Sequence, residues 1–156
     1  MIDTLKGLEG KVRLVCHDKD GNIKFDTGFI KNSITNASFA VLSGLAGNVD
    51  AQTAFTYLAV GTSTTAPSAS QTALGGEITD SGLSRASATV SRVTTTQTND
   101  TLQLVKAFSV TGTKTVEEVG IFNASSGGTM LGRALTTSKA VVNGDTLTIT
   151  YQVKFA

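Results

Sequence analysis

Tryptophan is absent from this chain, and proline, cysteine and histidine occur once each, as Pro67, Cys16 and His17. A single cysteine excludes an intrachain disulfide, and with one histidine it leaves too few ligands for a zinc centre and no second thiol for redox chemistry. Cys16, between Val15 and His17, reads as a buried apolar thiol, and His17 as a strand residue beside a turn rather than half of a Cys/His nucleophile pair. Long hydrophobic runs are also missing: none approaches the about 18 residues needed to cross a bilayer. The opening "MIDTLKGLEG" lacks the basic start and apolar core of a signal peptide. The expectation is a soluble chain made in a cytoplasm, with no membrane partner. Charge of one sign is scarce too. Lys plus Arg number 13 against 12 Asp plus Glu, with neither gathered into a block, so no electrostatic footprint for nucleic acid is present.

What the chain does contain points to sheet. It has 25 Thr and 14 Ser in 156 residues, and threonine suits the half-exposed face of a pleated strand. The length fits one domain, residues 1–156, with residues 1–10 as an N-terminal arm and residues 61–83 as a long loop. "KVRLVCH" alternates, "DKDGN" supplies turn residues and "IKFDTGFI" returns, which predicts a hairpin. From Asn36 the period changes: Phe39, Val41, Leu42 and Leu45 share one side of a 3.6-residue repeat. Thr35 or Asn36 can cap its start, and Gly44 and Gly47 mark its end. One short helix is predicted near residues 36–46.

"FTYLAV" reads as a buried strand, residues 84–95 and 101–110 as a long hairpin with a bulge near Val105, and residues 116–122 and 129–137 as strands flanking "NASSGG". In "DTLTITYQVKF", Leu147, Ile149, Tyr151, Val153 and Phe155 face one way, and the polar residues between them the other. The predicted fold class is mainly β: an antiparallel β-sandwich or jelly-roll-like barrel.

Within "TVEEVGIFNASSGGTMLGRAL", pairing Phe122 with Thr129 sets Glu118 opposite Arg133. Such a cross-strand pair contributes about 0.2–1 kcal/mol when exposed. Glu117 then points to the other face, beside Ala134, so the two glutamates form no carboxylate dyad. A structural ion pair, Glu118 with Arg133, is therefore favoured over general acid/base chemistry.

Several motifs imitate sites. "FDTGFI" with Asp26 and "ITDSGL" with Asp80 resemble the Asp-Thr/Ser-Gly signature of aspartic proteases, but Asp-Xaa-Gly is also ordinary turn chemistry. "DKDGN" departs from a calcium loop, because its glycine comes too early and Phe29 stands where a bidentate glutamate is needed. "NAS" at Asn36 and Asn123 has no secretion signal to make it a glycosylation site, and "AVGTSTTAP" lacks the lysine of a phosphate loop. No cofactor or metal is expected, and catalysis is not.

Three stretches, "YLAVGTSTTAPSASQTALGGEI" from Tyr57, "EEVGIFNASSGGTMLGRAL" from Glu117 and "VNGDTLTITYQVKF" from Val142, carry a resemblance to the small β-rich virion structural proteins of tailed bacteriophages. It covers about residues 55 to 156, with a looser likeness in the hairpin and helix before them. The resemblance implies a non-enzymatic assembly component. Its leading form is a capsid decoration (cement) protein on the outer head surface, made in the host cytoplasm, binding the major capsid protein and assembling with itself as a trimer. The alternative is a tail-fibre, baseplate or collar adaptor. A glycan-binding fibre tip is less favoured, since two Tyr and no Trp offer little to stack on sugar rings. The N-terminal arm and the long loop are the candidate contact regions, through Leu5, Leu8, Thr65, Pro67 and Leu74.

Overall fold

A computed structural model describes residues 7–155. Its elements in chain order are β1 (Leu8–His17), β2 (Ile23–Asp26), β3 (Ile30–Lys31), β4 (Ser33–Ile34), α1 (Asn36–Gly47), β5 (Tyr57–Gly61), β6 (Ala86–Ser87), β7 (Thr89–Val93), β8 (Thr101–Ser109), β9 (Lys114–Phe122), β10 (Met130–Val141) and β11 (Thr146–Phe155). They form two antiparallel sheets. The first runs β2-β1-β11-β8-β7 with β3 also on β1, and the second runs β4-β10-β9-β5-β6. Neither closes on itself, so of the two architectures expected the sandwich is the one adopted.

The core lies between the sheets, with Val12, Leu14, Ile149 and Tyr151 from the first meeting Leu58, Val60, Ile121 and Leu131 from the second. Period-two alternation puts them there. In β11, Leu147, Ile149, Tyr151 and Val153 are fully buried while the residues between them are half-buried. Cys16 is buried in the same core, and burial pushes its thiol up to about 11.

Helix α1 begins after Thr35, and Val41, Leu42 and Leu45 of its expected face pack on the core, whereas Phe39 does not. Ser38 and Val41 are its buried residues and Phe39 is 52% exposed. Its end is set by Asn48, which takes the left-handed conformation at the C-cap; Gly44 and Gly47 both remain inside the helix.

Three strand expectations are corrected. β1 begins at Leu8 and pairs with Phe155, so the last residues of the expected arm are ladder residues. Residues 84–95 are two strands: β6 pairs with β5 in one sheet and β7 with β8 in the other. The chain changes sheet at Ala88, whose N–H bonds to the Thr56 carbonyl, 2.8 Å. β8 pairs without interruption from Thr101 to Ser109, so there is no bulge at Val105. Irregularities lie instead in β10, between Met130 and Gly132 and between Leu135 and Lys139, and in β1 between Cys16 and His17. At the second of these, Thr137 and Ser138 have positive φ and the strand continues to Val141.

Candidate functional site: a buried ion pair beneath the 62–76 loop

The outer face of the second sheet is unusually small along its middle. The ladders set Ala59, Gly120 and Arg133 in one row, and Gly61, Glu118 and Leu135 in the next. Two glycines and an alanine leave room for long side chains to lie flat on the sheet. At Gly61 a Cβ would collide with the Glu118 carboxylate and the Gly76 carbonyl. Arg133 uses that room, and its Nε donates to Glu118 Oε2 at 2.6 Å.

The register differs from the expected one. Gly120, not Glu118, stands opposite Arg133, because Phe122 pairs with Met130 instead of Thr129 and the bulge after Met130 shifts β10 by one residue more. The two charges therefore meet diagonally, which long side chains can do. Glu117 lies beside neither Arg133 nor Ala134; it accepts bonds from the Ser138 N–H and hydroxyl, 2.8 and 2.7 Å, at the second bulge.

Both partners continue into the loop above them. Glu118 accepts the backbone N–H groups of Ser63 (3.2 Å), Gly75 (3.1 Å) and Gly76 (2.8 Å). Arg133 donates to the carbonyls of Thr65 (2.7 Å) and Ser63 (3.4 Å) and to the Gln71 side chain (3.3 Å). Gln71 in turn accepts the Ser68 N–H and donates to the Ala66 carbonyl. Taking two charges out of water is expensive unless every donor and acceptor finds a partner. Here the loop backbone supplies those partners, and the ion pair supplies the loop's. The 62–76 segment is thus held against the sheet by polar groups that would otherwise be buried unpaired.

Leu74 completes the attachment. It is 8% exposed and packs with Ala59, Phe122 and Met130, so it anchors the loop from within and presents nothing outward. Its burial leaves little of the side chain for the outward contact expected of it. Thr65 is exposed and Pro67 half-buried on the loop's outer side, and the Ala69 carbonyl accepts the Asn36 N–H at the start of α1, 2.8 Å. Leu8 lies at the far end of the first sheet, and Leu5 is outside the described residues.

A second clamp was not foreseen. Arg85 donates twice to Glu77, 2.8 and 2.7 Å, places its guanidinium 3.6 Å from the Phe122 ring centre, and reaches the carbonyls of Ala124 and Gly127. It ties the far end of the long loop to the "NASSGG" turn. Eight residues separate the pair in a stretch without periodicity, so no sequence pattern signals it.

The two protease-like aspartates are held apart in separate pairs. Asp26 pairs with Arg13, whose hydrogen bond, with the Gly28 N–H, lowers its carboxyl to about 2. Asp80 pairs with Lys114 at 2.8 Å, which also holds it below the ordinary range. A proteolytic dyad needs one proton shared between two carboxylates, whereas here each carboxylate is stabilised in its charged form by its own cation. His17 ends β1 beside the turn, and the Asp18 carboxylate closes that turn on the N–H groups of Asp20 and Asn22.

The family model described as podophage GP4 fiber I protein gp80 matches residues 33–153, more than three quarters of the chain. No curated protein and no solved structure matches it. The matched span contains both clamps and the whole of the long loop, and it bears out the expectation of a small β-rich phage virion protein.

Proposed function

Because the chain belongs to the podophage GP4 fiber I protein gp80 family, we propose that it is a non-enzymatic structural protein of the virion, seated in the tail-fibre apparatus, with the 62–76 loop as an attachment surface. The family match is the observation that carries the virion assignment. The geometry supports the rest. Residues 62–76 contain no charged side chain, and the loop is braced from beneath by Glu118, Arg133 and Leu74. A surface ordered before it meets its partner loses little conformational freedom on binding, so modest contacts at Thr65 and Pro67 are enough to contribute affinity. Its ion pairs fasten the fold together, which suits a load-bearing component.

Fractionation of virions into heads and tails, followed by antibody labelling, tests the location. Label on tails or fibres is the expected result. Label confined to heads would replace the fibre reading with capsid decoration, in which the partner is the major capsid protein and the oligomer a trimer. Absence from purified particles would remove both.

A further inference from the structure

An open sheet ends in strands whose outer N–H and C=O groups are unpaired, and folds blunt such edges with short length, charge, proline or a bulge. In this protein β3, β4 and β6 are two residues long, and β2 carries Lys24 and Asp26, each held in an ion pair. β7 is left open. Thr89–Val93 runs five residues without proline, glycine or bulge, and every residue of it but Val93 is exposed. Among the described residues, no backbone group of this strand bonds outside the β8 ladder.

Beside this edge a groove of about 630 Å³ separates β7 from α1, lined by Leu42, Leu45, Phe55, Val90, Leu102 and Phe155. Val90 stands opposite Leu104 and Arg92 opposite Leu102, so these two face the groove while Thr89, Ser91 and Val93 face the other way. A strand laid against β7 would send alternate side chains over the groove by the same rule. Charge on this side is basic and free. Lys106 lies opposite Ile149, which puts it on the groove-facing side of β8, about 13 Å along the strand from Leu102 and hence from Arg92. Among the described residues neither Arg92 nor Lys106 enters a salt bridge. Asp100, also in the lining, is already occupied: it accepts the N–H groups of Thr95, Thr96 and Gln97, 2.9, 2.9 and 2.8 Å, and the Thr101 hydroxyl.

We propose that β7 receives an extended segment of a different polypeptide, which adds to the first sheet as a new edge strand. Main-chain hydrogen bonds hold such a segment and alternate side chains select it. Here the selected pattern is an apolar residue opposite Val90, over the groove, with an acidic residue two places to either side, one opposite Arg92 and one beside Lys106. This chain does not supply that pattern itself, since no two of its acidic residues stand four places apart. The inference rests on the β7 edge and its groove, not on the 62–76 loop, and holds for a fibre or a head protein.

Fluorescence polarisation with labelled peptides, read beside amide hydrogen exchange of the full chain, tests it. The probe is Thr-Glu-Thr-Leu-Thr-Glu-Thr, which puts its Leu and both Glu on one face of an extended strand and reads alike in either direction. The expected result is saturable binding, with exchange slowed at Thr89–Val93. The shuffled peptide Thr-Glu-Glu-Thr-Leu-Thr-Thr, which splits the glutamates between faces, and the lysine peptide Thr-Lys-Thr-Leu-Thr-Lys-Thr should each bind at least about tenfold more weakly. The Arg92→Glu/Lys106→Glu variant, its fold confirmed by thermal melting, should reverse the preference and bind the lysine peptide more tightly. No saturable binding, equal affinity for the shuffled peptide, or protection away from β7 would overturn the proposal, and each is read on the parent chain. So would an unchanged preference in the folded double variant. Slowed exchange at β7 that grows with protein concentration and needs no peptide would give the edge to a second copy and overturn it as well.

Discussion

Glu118 and Arg133 form an ion pair whose side chains are 0% and 1% exposed, although the ladder sets Leu135 opposite Glu118 and Gly120 opposite Arg133. The contact is diagonal, and it depends on the glycines beside it and on the loop above it. Removing one partner leaves the other buried and uncompensated. Glu118→Ala is therefore expected to cost about 3–5 kcal/mol of unfolding free energy in urea denaturation. The Glu118→Leu/Arg133→Met double variant should recover part of that loss, since it buries no unpaired charge.

Gly61→Ala tests the space rather than the charge. Its methyl group would meet the Glu118 carboxylate and the Gly76 carbonyl, and the backbone carbonyl cannot swing aside as a flexible side chain can. A loss of about 1–3 kcal/mol is expected from such overpacking, measured by the denaturation midpoint. Faster proteolytic nicking between residues 62 and 76 should accompany it.

Leu74→Ala and Thr72→Ala separate the loop's inner and outer sides. Leu74 packs against Phe122 and Met130, and its truncation is expected to cost about 2–5 kcal/mol. Thr72 is exposed, and its truncation should stay within about 0.5 kcal/mol. Equal losses in the two variants would contradict this division.

The architecture was largely legible because it rests on alternation. "DTLTITYQVKF" folds as the strand its pattern describes, and the helix starts after Thr35 as expected, although the Thr35 hydroxyl donates to the Met130 carbonyl and does not cap the helix. What alternation does not encode is which sheet a strand joins. "SRASATVSRV" looks continuous, yet the chain crosses between sheets at Ala88, a step determined by the Thr56 carbonyl far away in sequence. The ion-pair partners were legible from charge among apolar residues, but their register was not. The bulge after Met130 has no marker beyond glycines that also occur in ordinary turns. The burial of Leu74 was hidden for a related reason: its neighbours are all small, and only the face of β9 beneath it tells which way it turns.

Acid should weaken the fold through its paired carboxylates. The Arg13 hydrogen bond, with the Gly28 N–H, lowers Asp26 from an ordinary value of 3.8 to about 2. A folded value below the unfolded one means that the contribution is present at neutral pH and down to the unfolded value. It is lost as pH falls from there through about 2. Urea midpoints measured at decreasing pH across that interval should fall less steeply for Asp26→Asn than for the parent chain. Identical slopes would contradict the assignment.

The claim that the braced loop seats this protein in the virion is tested most directly by placing a thiol on it. Thr72→Cys puts a reactive group on the exposed side, while Cys16, buried with its thiol pushed up to about 11, stays unlabelled by maleimide. The expected result is rapid modification of the isolated protein and strong protection in assembled particles carrying the variant. Equal labelling in both would show that the loop faces solvent in the virion and would contradict the account.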